Sequence, residues 1–143
     1  MGDVMAAIIT QTLADASVAA LVGDRMGVHG DHASGEAAGT PYLTVQQVAG
    51  DDIDHLAGHS GKADAVLQLN AVGTTYASAQ AVRIAVAAAW RGFNRGTVTT
   101  AGGDVTLHSA TVEGVADAPR APAAGRDAPR FVNTLDLRVH VST

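Results

Sequence analysis

Apolar residues recur three and four positions apart near the start of the chain, with Met5, Ile8, Ile9, Leu13 and Ala16 on one helical face. This pattern predicts a helix from about Val4 to Ala20, with Asp3 as its N-cap and Gly23 just past its end. Arg25 to His29 reads as a short strand, and the Gly/Ala-rich stretch 30–40, which has no periodicity, as a loop. Pro41 opens a strand that continues from Tyr42 to Ala49, a position proline tolerates. Gly50 to Gly61 is polar and reads as a connection. From Lys62 to Val72 the period becomes two. Ala63, Ala65, Leu67, Leu69 and Ala71 face one way, and Lys62, Asp64, Gln68 and Asn70 the other.

A second helix is predicted from about Thr75 to Arg91, its stripe formed by Ala79, Val82, Val86, Ala89 and Trp90, with Phe93 just beyond. Thr97–Thr100 and Val105–Val115 flank Ala101-Gly102-Gly103-Asp104, a glycine-containing hairpin signal. Residues 116–130 carry Pro119, Pro122 and Pro129 among Arg120, Arg126 and Arg130, and read as a long loop. In the closing strand, Phe131, Leu135, Leu137, Val139 and Val141 alternate with Val132, Thr134, Asp136, Arg138 and His140. Helix, strands, helix, hairpin and strand in this order predict an α+β fold. Its core is a largely antiparallel sheet of about five strands with two helices packed on one face, in a single domain over 1–143.

Composition narrows the function classes. The chain has 143 residues, no cysteine and a formal net charge of −5, which removes disulfides and thiolate metal sites. Its N-terminus lacks a signal-peptide pattern, and no stretch approaches the ~20 apolar residues of a membrane-spanning helix. A soluble, cytosolic, globular chain is the expectation. An acidic chain with a single lysine, Lys62, does not attract nucleic acid through its overall charge. Trp90 and Phe93, two of only five aromatic residues, are expected as core anchors.

The usual catalytic signatures, a phosphate loop, nucleophile elbow, dinucleotide fingerprint or zinc-protease helix, are absent. His55 and His59 have the spacing of two ligands on a helix, beside Asp51, Asp52 and Asp54, but Gly58 and the local composition favour a solvated acidic loop over a metal site. His29, Asp31 and His32 form a shorter cluster of the same kind, and Gly102-Gly103-Asp104 is explained by a tight turn. Arg91 and Arg95 lie near the end of the second helix, and Arg91 complements its C-terminus. Arg120, Arg126 and Arg130 share their segment with Asp117 and Asp127, which suits contacts between subunits better than a phosphate-binding stripe. Connections longer than about 12–15 residues are usually functional or disordered, and proline lowers the entropy lost on docking.

One ordered set of segments resembles a known family. A helix ending in Ala19-Ala20-Leu21-Val22-Gly23-Asp24-Arg25 is followed by the strand opening Pro41-Tyr42-Leu43-Thr44-Val45-Gln46. Then come Asp54-His55-Leu56-Ala57-Gly58-His59-Ser60-Gly61, the strand Ala65-Val66-Leu67-Gln68-Leu69-Asn70-Ala71, and the helix entry Thr75-Tyr76-Ala77-Ser78-Ala79. This order resembles the tail-terminator (tail-completion, or tail-to-head joining) proteins of long-tailed bacteriophages and gene transfer agents. The resemblance implies a non-enzymatic virion protein without a cofactor, assembled in the bacterial cytoplasm and placed at the top of the tail. It implies a homo-oligomeric ring, commonly a hexamer, seated on the tail-tube protein and facing a head-completion or connector protein. DNA would pass through the lumen without specific binding, and no membrane is involved. On this reading Arg120, Pro122, Arg126, Asp127 and Arg130, with Asp54, His55 and His59, are expected at subunit or partner interfaces. A head–tail connector or neck component is the nearest alternative, and a small metal-dependent enzyme using His55 and His59 a more distant one.

Overall fold

The computed structural model describes residues 3–28, 41–55, 58–120 and 130–142, and for 49–55, 58–61, 116–120 and 130 it describes the backbone alone. The elements are helices α1 (Val4–Leu13), α2 (Ala16–Val22) and α3 (Tyr76–Arg91) and strands β1 (Met26–Val28), β2 (Tyr42–His55), β3 (Gly58–Gly73), β4 (Gly96–Thr100), β5 (Gly103–Arg120) and β6 (Arg130–Ser142). The strands form one mixed sheet in the order β1-β2-β3-β6-β5-β4. Every pairing is antiparallel except that of β1 with β2. The α+β class, the antiparallel bias and the packing of helices on the sheet follow the sequence pattern. The described strands number six where the pattern gave about five, because the short Arg25–His29 stretch is a full member of the sheet through Met26–Val28.

The predicted first helix is two helices bent by 92°. Asp3 caps the first, its carboxylate accepting from the Ala6 N–H. Asp15 restarts the chain as a second N-cap by accepting from the N–H groups of Ser17 and Val18. An aspartate that bonds the backbone ahead of it competes with the i→i−4 ladder, so the apolar periodicity survives while the axis turns. Gly23 then ends α2 at φ +61°, as its place after Val22 predicts.

Both long hairpins extend further than the apolar alternation. β2 and β3 stay paired to His55 opposite Gly58, so the predicted connection 50–61 is largely strand. β5 and β6 stay paired to Arg120 opposite Arg130, so 116–120 and 130 belong to strands and not to a loop. At ~3.4 Å per residue the 18 residues of β5 reach on the order of 60 Å, against about 24 Å for the 16 residues of α3. The strands outrun the helices above them. Beyond that cover, neither sheet face is required to be apolar, and the period-two signal fades.

α3 lies across β3, β6 and β5, while α1 touches β1 and β2 near one edge of the sheet and β4 at the other. The sheet therefore curls about the helices, and the Asp3 N–H reaches the Thr100 hydroxyl at 3.2 Å. One continuous core results. Leu43, Val45, Leu67, Leu69, Leu107, Leu135, Leu137 and Val139 rise from the sheet to meet Ile8, Val18, Val22, Val82, Val86 and Trp90. Trp90 is the largest of the fully buried side chains and Phe93 packs beside it, ring centroids 5.2 Å apart. Full burial of each large apolar side chain contributes roughly 1.5–3 kcal/mol.

Candidate functional site

The sheet face turned away from the helices is polar, and cross-strand register sets its pairs. Gln46 lies opposite Gln68 and donates to it at 2.8 Å, and the Thr134 hydroxyl donates to Asn70 at 2.9 Å. Further along, the Arg138 Nε donates to Glu113 at 2.6 Å and its Nη1 lies 3.5 Å from Asp64. His140 sits 3.7 Å from the same Asp64 carboxylate. Two irregularities in β5, at Leu107/Ser109 and Val112/Gly114, add His108 and Glu113 to the strand. Such bulges re-aim side chains, and here His108 meets the Ser142 hydroxyl at 2.8 Å while Glu113 meets Arg138.

On this face the charge of Arg138 is partnered within the chain, by Glu113 and Asp64. Glu113 above all, through its hydrogen bond and its charge, raises the Arg138 pKa above the ordinary arginine value, and Asp64 adds to the shift. Among the described residues no three His, Asp or Glu side chains converge as metal ligands.

The predicted interface residues fall on the two hairpins. Asp54 lies opposite His59 and His55 opposite Gly58, so the two histidines sit on facing strands and not on successive turns of a helix. Arg120 is directly opposite Arg130 at the end of the β5–β6 ladder. Pro122, Arg126 and Asp127 lie outside the described residues, as do His29, Asp31 and His32.

Two features were not singled out in the sequence. Asn133 occupies a core-facing position in β6, 1% exposed, and accepts from the Arg83 Nε of α3 at 3.2 Å. The signal was present: among the alternating residues Phe131, Asn133, Leu135, Leu137, Val139 and Val141, Asn133 alone is polar. The second feature is a groove between α2 and α3 lined by Ala81, Ala85, Ala88 and Ala89, over which Ile84 is 53% exposed.

Comparison with known proteins gives this surface a context. The family model for tail completion protein gp17 matches residues 6–92. A solved chain of the virion of a native gene transfer agent particle superimposes with a TM-score of 0.62 at 21% identity, covering 98% of this chain and 95% of that one. No curated protein sequence matches. The helices α1, α2 and α3 and the strands β1 to β3 all lie in or overlap the matched region, and the chain belongs to the tail completion protein gp17 family, the structural proteins of phage-type tails.

Proposed function

We propose that this protein forms a ring on the end of the tail tube, stops tube polymerisation and presents the surface to which the head docks. Membership of the tail-completion family carries the reading. The architecture supports it. A closed ring joins one patch of each subunit to a different patch of the next, and the chain carries two unlike projections. The β2–β3 hairpin holds Asp51, Asp52 and Asp54, whereas the β5–β6 hairpin sets Arg120 against Arg130. Like charges directly opposite one another destabilise a lone ladder, and an acidic neighbour relieves them. The hairpin residues Arg120, Pro122, Arg126, Asp127 and Arg130, with Asp54, His55 and His59, are accordingly the proposed contacts with neighbouring subunits, the tail-tube protein and the head-completion protein. The ring is a hexamer through which DNA passes without specific contacts.

Negative-stain imaging of the purified protein, alone and mixed with its tail-tube subunit, tests this. Rings or tube ends that stop growing are expected. Monomers that leave tubes growing would refute the reading. Deleting residues 117–129 tests the β5–β6 projection separately, with loss of ring formation or capping as the expected outcome.

A further inference from the structure

Each flank of the sheet sets a short strand beside a long one. β1 pairs with β2 only along 43–45, and β4 pairs with β5 only along 103–107, yet β2 runs on to His55 and β5 to Arg120. Among the described residues, no strand lies on the outer side of β2 along 46–55 or of β5 along 108–120. A strand unpaired on one side presents a row of backbone N–H and C=O groups to any chain that can pair with them.

Three relationships fit the two open runs to each other. The first is direction. β2, β3, β6 and β5 alternate antiparallel, so β5 runs opposite to β2. Copies standing side by side in one orientation, as in a ring, therefore bring β5 of one antiparallel to β2 of the next. The second is placement. The cross-strand register puts β1 at the end of the sheet where β5 is open, and β4 at the end where β2 is open. Each short strand stops a neighbour from sliding past it, which leaves one open run against the other. The third is apolar surface. Val48 on β2 and Val115 on β5 are each 49% exposed, the large apolar side chains that these runs leave in solvent among the residues whose side chains are described. With 46–55 lying wholly against 108–120, Val48 falls at or near Val115. Val48 is the extra residue of the bulge between Gln47 and Ala49, and Val115 follows the bulge at Val112/Gly114. Bulges restrain indiscriminate edge pairing, so a partner strand has to meet both in one register.

We propose that the outer edge of β2 along 46–55 pairs antiparallel with the outer edge of β5 along 108–120 of a second copy, with Val48 and Val115 covering each other. This rests on the homo-oligomeric reading above and names the seam that would close the ring. The two edges differ, so the contact is heterologous and repeats around a circle. The stagger between copies closes on itself when the strands are tilted to the ring axis.

Self-association of the full chain by sedimentation velocity tests the seam, with circular dichroism confirming that each variant is folded. Val48→Lys alone and Val115→Glu alone are each expected to weaken association at least tenfold, and the two in one chain to restore most of it. Association unchanged in either single variant, or no recovery in the combined one, overturns the seam and leaves the ring reading intact. The chain has no cysteine, so introduced thiols report proximity cleanly. A short bis-maleimide linker is expected to join Val48→Cys/Val115→Cys chains into a ladder that extends past the dimer. No ladder, linkage within one monomer, or dimers formed by either single cysteine variant overturns the proposal. Amide exchange along both runs should slow on assembly. Protection already present in the monomer means that the edges are paired within the chain, and protection gained only on tube ends means that the tail-tube protein covers them; either result overturns the seam. A wild-type protein that stays monomeric, with and without tube ends, removes both readings.

Discussion

The indole N–H of Trp90 donates across 3.1 Å to the hydroxyl of Thr12, which in turn donates to the Ile8 carbonyl 2.7 Å away. The two residues are 78 positions apart and both are buried, so this relay ties the end of α3 to the end of α1. A hydroxyl has one proton to give and lone pairs to receive with, and here both capacities are used. It lies just ahead of the bend into α2, the point where the first helical stripe stops being one helix.

Replacing Thr12 with valine keeps the shape and removes the acceptor. The indole N–H would be left buried and unpaired, at a cost of about 1–3 kcal/mol. Trp90 is the only tryptophan, so its fluorescence through a urea titration reads the loss directly. A midpoint unchanged from wild type would show that the relay contributes nothing net.

Asp15→Ala tests the cause of the bend. Two N–H groups lose their acceptor, and a lost N-cap typically costs ~1 kcal/mol. α2 has only 7 residues, too short to form without its cap and its packing on α3. The expected result is a lower thermal midpoint together with faster amide exchange confined to residues 16–22. Uniform acceleration across α1, α2 and α3 would argue against a local capping role.

The parts of the fold legible in the sequence were those where one face is buried. The alternation of Ala65, Leu67, Leu69 and Ala71, and the α3 stripe of Ala79, Val82, Val86 and Trp90, both report a core on one side, and those residues are buried. The break at Asp15 was not legible, because the apolar spacing runs through it and the capping bonds decide the axis. Nor were the outer halves of the hairpins, whose pairing rests on backbone hydrogen bonds that leave no side-chain period. The arginines at 120 and 130 were visible as charge, but their direct opposition depends on register. Arg83 carries no signal in the sequence, and its hydrogen bond to Asn133 is visible only in the structure.

Arg138 illustrates how little an exposed ion pair adds. Its side chain is 44% exposed, and salt screens such pairs. Its folded-state pKa is raised, so its contribution is whole at every pH below the unfolded arginine value and is lost only as pH rises through the folded one. Arg138→Met should therefore shift the urea midpoint less than Thr12→Val, by the same amount at about pH 7 and about pH 10, and less still at high salt. A shift that faded between those two pH values would contradict the assignment.

Gly73 and Gly114 should respond oppositely to the same substitution. Neither has a positive φ, so space alone decides. A Cβ at Gly73 would run into Ser78 Oγ and lie 3.1 Å from the Ala79 nitrogen and 3.3 Å from the Thr75 carbonyl oxygen. That is the N-terminus of α3, where the Thr75 hydroxyl accepts from the Ser78 N–H and the Ser78 hydroxyl donates to the Thr75 carbonyl. Gly73→Ala should cost about 1–3 kcal/mol by overpacking. Adding Ser78→Ala should recover only part of the loss, because the remaining obstacles are backbone atoms. At Gly114 the new methyl would meet only Asp136 Oδ2 at 3.8 Å, an ordinary contact. Gly114→Ala should be neutral or stabilising by up to about 1 kcal/mol, through the reduced freedom of the unfolded chain. Equal losses at both positions, measured by urea unfolding, would mean that close approach to the α3 cap is not what requires glycine at position 73.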